Sequence, residues 1–164
     1  MPRRPANPDI RMKRLGADLA LEYPGAAGWW EDGDLRVVRR KRGRDRDLDL
    51  VTGVESADQM LINRLKTHKG ELTALGHPEY GSRHHELIGE PNVERTRRLI
   101  KLYVLEALSH EPRIEKVLAI VVTAPPASKS GPPRDQVRIV IDLKLIDEDR
   151  PRNLVVPFSL EPSP

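Results

Sequence analysis

Residues 136–146, QVRIVIDLKLI, alternate with period two along their whole length, and no other stretch constrains the fold as tightly. In an extended strand Val137, Ile139, Ile141, Leu143 and Leu145 share one face, while Arg138, Asp142 and Lys144 share the other. One apolar face needs one layer of cover, which points to a mostly antiparallel sheet packed on a single side. RIEKVLAIVV (113–122) reads as a second, apolar and β-branched strand. NLVVPFSL (153–160) reads as a third, and Pro157 confines it to an edge because proline has no N–H for a ladder. The Pro-rich 124–135 loop between the first two is long for a hairpin.

The cover comes from helices. In ESADQMLINRLKTHKGE (55–71), Ala57, Leu61 and Leu65 form a stripe, Ser56 and Gln59 have capping-box spacing, and Gly70 is positioned to end the helix. NVERTRRLIKLYVLEALSH (92–110) is the longest helix, with Asn92 as cap and Leu99, Leu102, Tyr103, Leu105 and Leu108 as its apolar face. Pro112 stops it, lacking a donor and forcing Glu111 towards an extended conformation. The expected fold is α+β, a small mostly antiparallel sheet with two to three helices packed on one face. A core domain over 47–164, opening with the short strand DLDLV (47–51), follows an N-terminal arm and basic loop over 1–46.

The arm is rich in Pro, Gly, Ala and Arg, and carries Trp29 and Trp30 side by side between PGAAG and EDGD. The pair either folds back onto the core or anchors in a partner's pocket. RVVRRKRGRDR (36–46) holds seven basic residues against one acid, Asp45. With no interleaved aromatics to stack on bases, and with Asp32, Asp34, Asp47 and Asp49 flanking it, this run suits a solvated loop or a dock for an acidic protein surface. Nucleic acid is not the expected partner.

LGHPEYGSRHHELIGEPN (75–92) brings His77, His84 and His85 close to Glu79, Glu86 and Glu90. A helical metal site needs histidines three or four residues apart, whereas His84 and His85 are adjacent and His68 and His77 lie in separate elements. A glycosidase needs two carboxylates across a cleft, and Glu71, Glu79, Glu86 and Glu111 are candidates only in the sense that any charged chain supplies some. There is no cysteine, which excludes thiolate chemistry and disulfides, and no phosphate loop or nucleophile elbow occurs. No cofactor, metal or catalytic residue is expected. The better account of the segment is a packed corner between two helices, turned at Gly76 and Gly81, with the Tyr80 ring buried. No secretory signal follows the basic N-terminus, and VLAIVV (117–122) is too short to span a bilayer, so no membrane insertion is expected.

In order and spacing these segments resemble the phage baseplate W-type wedge family, the small wedge proteins of contractile tails. The pattern runs through Leu65, Thr67, Gly70 and Glu71, then Tyr80, Gly81 and Ser82, then Glu111 to Ile114, and covers roughly 47–147. LGHPEYGSRHHELIGEPN and LYVLEAL look most like members from contractile injection systems and phage-tail-like particles.

The resemblance implies a structural, non-enzymatic part, assembled in the cytoplasm into a tail-like particle and present in six copies around the central hub and spike. It implies larger baseplate wedge proteins and the first sheath ring as partners, the latter joined by strand augmentation. It also implies that Glu111, Pro112 and Arg113 form the wedge contact, unless they make an internal ion pair that staples the turn. With Trp29, Trp30 and Tyr80, these are the residues expected to bind partners. Two alternatives stay open: a peptidoglycan-cleaving enzyme, matching the lysozyme-like label of older family descriptions, and a free-standing adaptor of the same fold.

Overall fold

The alternation at 136–146 is realised as the middle of a three-stranded antiparallel sheet. A computed structural model of the chain describes residues 14–22, 33–39, 46–124 and 135–161. In chain order these form β1 (Ala17–Leu19), β2 (Leu21–Glu22), β3 (Asp34–Leu35), β4 (Val37–Arg39), β5 (Arg46–Leu48) and β6 (Leu50–Thr52). Helix α1 (Val54–Lys66) and helix α2 (Glu94–Ser109) follow, then β7 (Ile114–Thr123), β8 (Gln136–Leu145) and β9 (Arg152–Ser159). The sheet order is β7-β8-β9, so Pro157 does lie on an edge strand. All five apolar residues expected on one face of β8 are buried. They pack with Leu61 and Leu65 of α1 and with Ile100, Val104 and Leu108 of α2 in one core, which confirms the α+β class.

Both expected helix caps are absent, and the reason is tertiary. Gly53 and Val93 occupy the N-cap positions without side-chain hydrogen bonds. Gln59 instead accepts a hydrogen bond from the Leu21 N–H (2.8 Å) and donates to the Leu19 carbonyl (2.9 Å), clamping the break between β1 and β2. Asn92 donates to the Gln136 carbonyl (3.0 Å), tying the start of α2 to β8. Helix α1 ends at Lys66, before Gly70, where Thr67 bonds back to the Asn63 carbonyl through both its N–H and its hydroxyl. The buried face of α2 is also rotated from the expected one. Thr96, Ile100, Val104, Ala107 and Leu108 point inward, and Leu102 and Leu105 are 56% and 41% exposed. LIKLYVLEAL is apolar on nearly every side, so packing against the sheet decides which stripe is buried.

Part of the segment read as an arm belongs to the core. Leu15 and Ala20 are fully buried, and β1 pairs with β6. Past Leu19 the chain enters a three-way junction in which Ala20 N–H donates to Asp49 O (2.9 Å), Asp49 N–H to Arg36 O (2.9 Å) and Arg36 N–H to Ala20 O (2.8 Å). Three antiparallel ribbons leave this ring: β1–β6, β2–β3 and β4–β5.

Candidate interaction site at the Glu111–Arg113 corner

The end of α2 turns through Glu111 and Pro112 into β7, and the turn is stapled by charge. Glu111 is 6% exposed. Its carboxylate accepts from the Arg64 guanidinium (3.1 Å) and from the Arg113 backbone N–H (3.2 Å), with Arg113 Nε 3.5 Å away. Arg113 Nη1 also reaches the Leu15 carbonyl (3.4 Å), so the corner gathers α1, the end of α2 and the N-terminal segment. Breaking a buried pair of this kind leaves an uncompensated charge and costs about 3–5 kcal/mol. The Arg64 guanidinium lies over the Tyr80 ring at 4.5 Å from its centroid, a cation–π contact. Burial pushes the Tyr80 hydroxyl pKa up, with smaller opposing and reinforcing effects from Arg64 and Glu111.

Of the two expectations for this corner, a wedge contact and an internal ion pair, Glu111 makes the second: its side chain is turned inward and is 5% exposed, whereas that of Arg113 is 35% exposed and Pro112 is exposed. The structure therefore brings Glu111, Arg113 and Tyr80 together around Arg64, which sequence reasoning missed. Arg64 lies three residues after Leu61, on the flank of the buried stripe, and that spacing was its only sequence signal. Trp29 and Trp30 lie outside the described residues. Beside the corner a cleft of about 280 Å³ is lined by Arg64, His77, Pro78, Glu79, Tyr80 and His110.

The histidine-rich segment is a packed corner with stacked rings. Gly81 (φ +99°) approaches the end of α1 so closely that a Cβ would stand 2.5 Å from the His68 carbonyl oxygen. Ser82 N–H donates to Thr67 O (2.9 Å), and the short 3-10 helix Arg83–Leu87 follows. Within it the His85 ring stacks on His68, with centroids 4.2 Å apart, and lies 4.2 Å from His84, which meets Phe158 edge-on at 4.5 Å. His84 Nδ1 is 2.7 Å from the Ser82 hydroxyl, and His85 Nε2 donates to the Leu65 carbonyl (2.7 Å). Burial, and then the neighbouring His85 and His68, hold the His84 pKa well below the usual histidine range; burial also lowers that of His85. His77 is exposed and stands apart from the stack, in the cleft by Tyr80. No group of three or more His, Asp or Glu among the described residues is arranged to hold a metal ion.

The carboxylates considered for catalysis each sit against a donor or cation. Glu79 pairs with Lys69 (3.0 Å), Glu86 with Arg83 (3.0 Å), and Glu71 accepts from the His68 N–H (3.0 Å). The hydrogen bond from Arg83 holds the Glu86 pKa below the usual carboxylate range. No helix among the described residues is long and apolar enough to cross a membrane.

A crystal structure of a Geobacter sulfurreducens protein, provisionally named a tail lysozyme, is similar to the chain at 25% identity and a TM-score of 0.54. The alignment covers 67% of this chain and 93% of that one. No curated protein sequence matches. The family described as Baseplate wedge protein gp25 matches residues 51–150, a span that takes in both helices, the histidine corner, the Glu111–Arg113 turn and strands β7 and β8. The chain belongs to this family of phage baseplate structural proteins.

Proposed function

We propose that the protein is a wedge component of a contractile injection system, joining larger wedge subunits around the central hub and offering a strand edge to the first sheath ring. The observation that carries this reading is the corner: exposed Pro112 and part-exposed Arg113 sit over a buried ion network, beside the Arg64–Tyr80 cleft. A surface held this way loses little conformational freedom on binding, and a planar guanidinium can hold a carboxylate or carbonyls of a partner. Glu111 acts here by positioning Arg113, which makes the contact. Trp29 and Trp30 add an aromatic anchor to the same assembly.

The sheath contact uses β9. Its pairing with β8 runs unbroken from Arg152 to Ser159, whereas β7, the other edge, has two register irregularities, which discourage strand addition. An edge-strand proline turns its nitrogen away from the ladder, so by two-residue alternation Val155 turns its N–H to the open edge as Pro157 turns its nitrogen. Electron microscopy of the producing strain tests both contacts. Deleting the gene should abolish sheathed particles, the wild-type gene should restore them, and Val155→Pro should give baseplates and tubes without sheath. Intact contractile particles after deletion would overturn the wedge role; sheathed particles with Val155→Pro would overturn the use of β9 alone.

The name of the Geobacter protein favours a second reading, cell-wall cleavage. A general acid needs a carboxyl whose pKa is raised, and Arg83 instead lowers that of Glu86, one of the candidates. A zymogram decides between the readings: clearing by the wild-type protein that is lost in Glu71→Gln would establish the enzyme.

A further inference from the structure

The ring of Ala20, Arg36 and Asp49 and two of its three ribbons precede residue 51, where the family match begins. Register sets three aliphatic pairs next to the ring: Leu19 opposite Leu50, Leu21 opposite Leu35, and Val37 opposite Leu48. Strand alternation puts all three on one face, because each is one residue from the ring, whose own side chains turn the other way. On that other side Ala20 is buried and Arg36 pairs with Asp49 at 2.6 Å. Leu50, Val37, Leu35 and Leu48 are 60%, 49%, 46% and 44% exposed, while Leu21 is half-buried and borders a cleft with Asn63, Lys66 and Tyr80, so most of the aliphatic area on this face is open. Isolated domains rarely leave such patches open without a use for them.

The same face ends in charge. At the far end of the β4–β5 ribbon Arg39 stands directly opposite Arg46. Like charges opposite each other destabilise a ribbon, and among the described residues neither has a carboxylate partner. By the same alternation Asp18, Glu22, Asp34, Asp47 and Asp49 all fall on the opposite face.

We propose that this face docks a segment of another protein whose aliphatic side chains cover the three pairs and whose adjoining Asp or Glu side chains lie over Arg39 and Arg46. Charge complementarity selects this occupant. The same face of a second copy brings arginines and no acid. Aliphatic side chains give nucleic-acid bases nothing to stack on. The docking holds whether or not the partner is a baseplate subunit, so it stands or falls separately from the wedge reading.

A photoreactive residue at Leu48 of the full chain, expressed in the producing strain, tests the proposal when the cross-linked segment is sequenced. The expected adduct is a segment of another protein that combines aliphatic residues with Asp or Glu. Its yield should fall roughly fivefold or more in an Arg39→Glu, Arg46→Glu background. A probe at Leu102, 56% exposed on α2, should give an unchanged adduct pattern in that background and so reports that the fold is kept. No adduct, an adduct within or between copies of this chain, a nucleic-acid adduct, or a yield indifferent to the arginines would each overturn the proposal.

Discussion

Glu111 and His84 are buried to a similar degree, 6% and 1% exposed, and solve the same electrostatic problem in opposite ways. Glu111 keeps its charge and is matched by Arg64 and Arg113. His84 is held neutral in the company of two more imidazoles, a phenyl ring and one hydroxyl. Removing a charge from the first site strands its partners. Adding a proton to the second creates a charge with no carboxylate in contact among the described residues. The two corners, one at each end of the segment joining α1 to β7, should therefore fail under different conditions.

The largest effect expected is from Glu111→Ala, which leaves Arg64 buried and unpaired and should cost about 3–5 kcal/mol in chemical denaturation. A loss below about 1 kcal/mol, the range of exposed pairs, would show the network to be solvated and dissolve the contrast.

Acidification comes next, and it acts through the histidines. Below a pH of about 6.5 the unfolded chain takes up protons that folded His84 refuses, so stability should fall as pH falls, until the folded ring itself titrates. The slope is at most about 1.4 kcal/mol per pH unit for this ring, and it vanishes above its unfolded pKa. Melting temperatures at pH 7.5 and 5.5 should diverge more in the wild type than in His84→Gln, where His85, whose pKa burial also lowers, keeps a part of the effect; an equal divergence in both would assign the acid sensitivity to other groups.

The smallest effect on stability is expected from Arg113→Ala. It removes a part-exposed guanidinium and should cost only about 1 kcal/mol, because Arg64 still neutralises Glu111. The same variant should prevent baseplate assembly, separating the structural half of the corner from its binding half. A chain that fails to fold, or one that assembles normally, would refute that division.

What was legible in the sequence was periodic or punctuated. Five alternating residues specified β8 and its buried face, Pro112 marked the end of α2, and Gly81 marked a turn, which the structure makes at φ +99°. The order of the Tyr80–Ser82 and Glu111–Ile114 motifs pointed to the family. Polar residues with several possible partners were misread. Gln59 and Asn92 have the spacing of caps, yet each bonds to a strand 38 or more residues away. A side-chain amide satisfies any backbone group that comes within reach, and sequence spacing supplies only the local choices.

By itself the sequence determined that a one-faced sheet would be covered by amphipathic helices. Those patterns follow from the geometry of a single strand or turn and need no knowledge of neighbours. Tertiary structure alone decided that the Glu111 carboxylate turns inward to Arg64, that three histidine rings stack against one another, and that residues 14–22 and 33–39 join the domain through a three-way junction. Each depends on groups brought together from distant parts of the chain. Whether a charge is paired, shed or left facing solvent is set by the partner that folding delivers, and local pattern does not encode that partner.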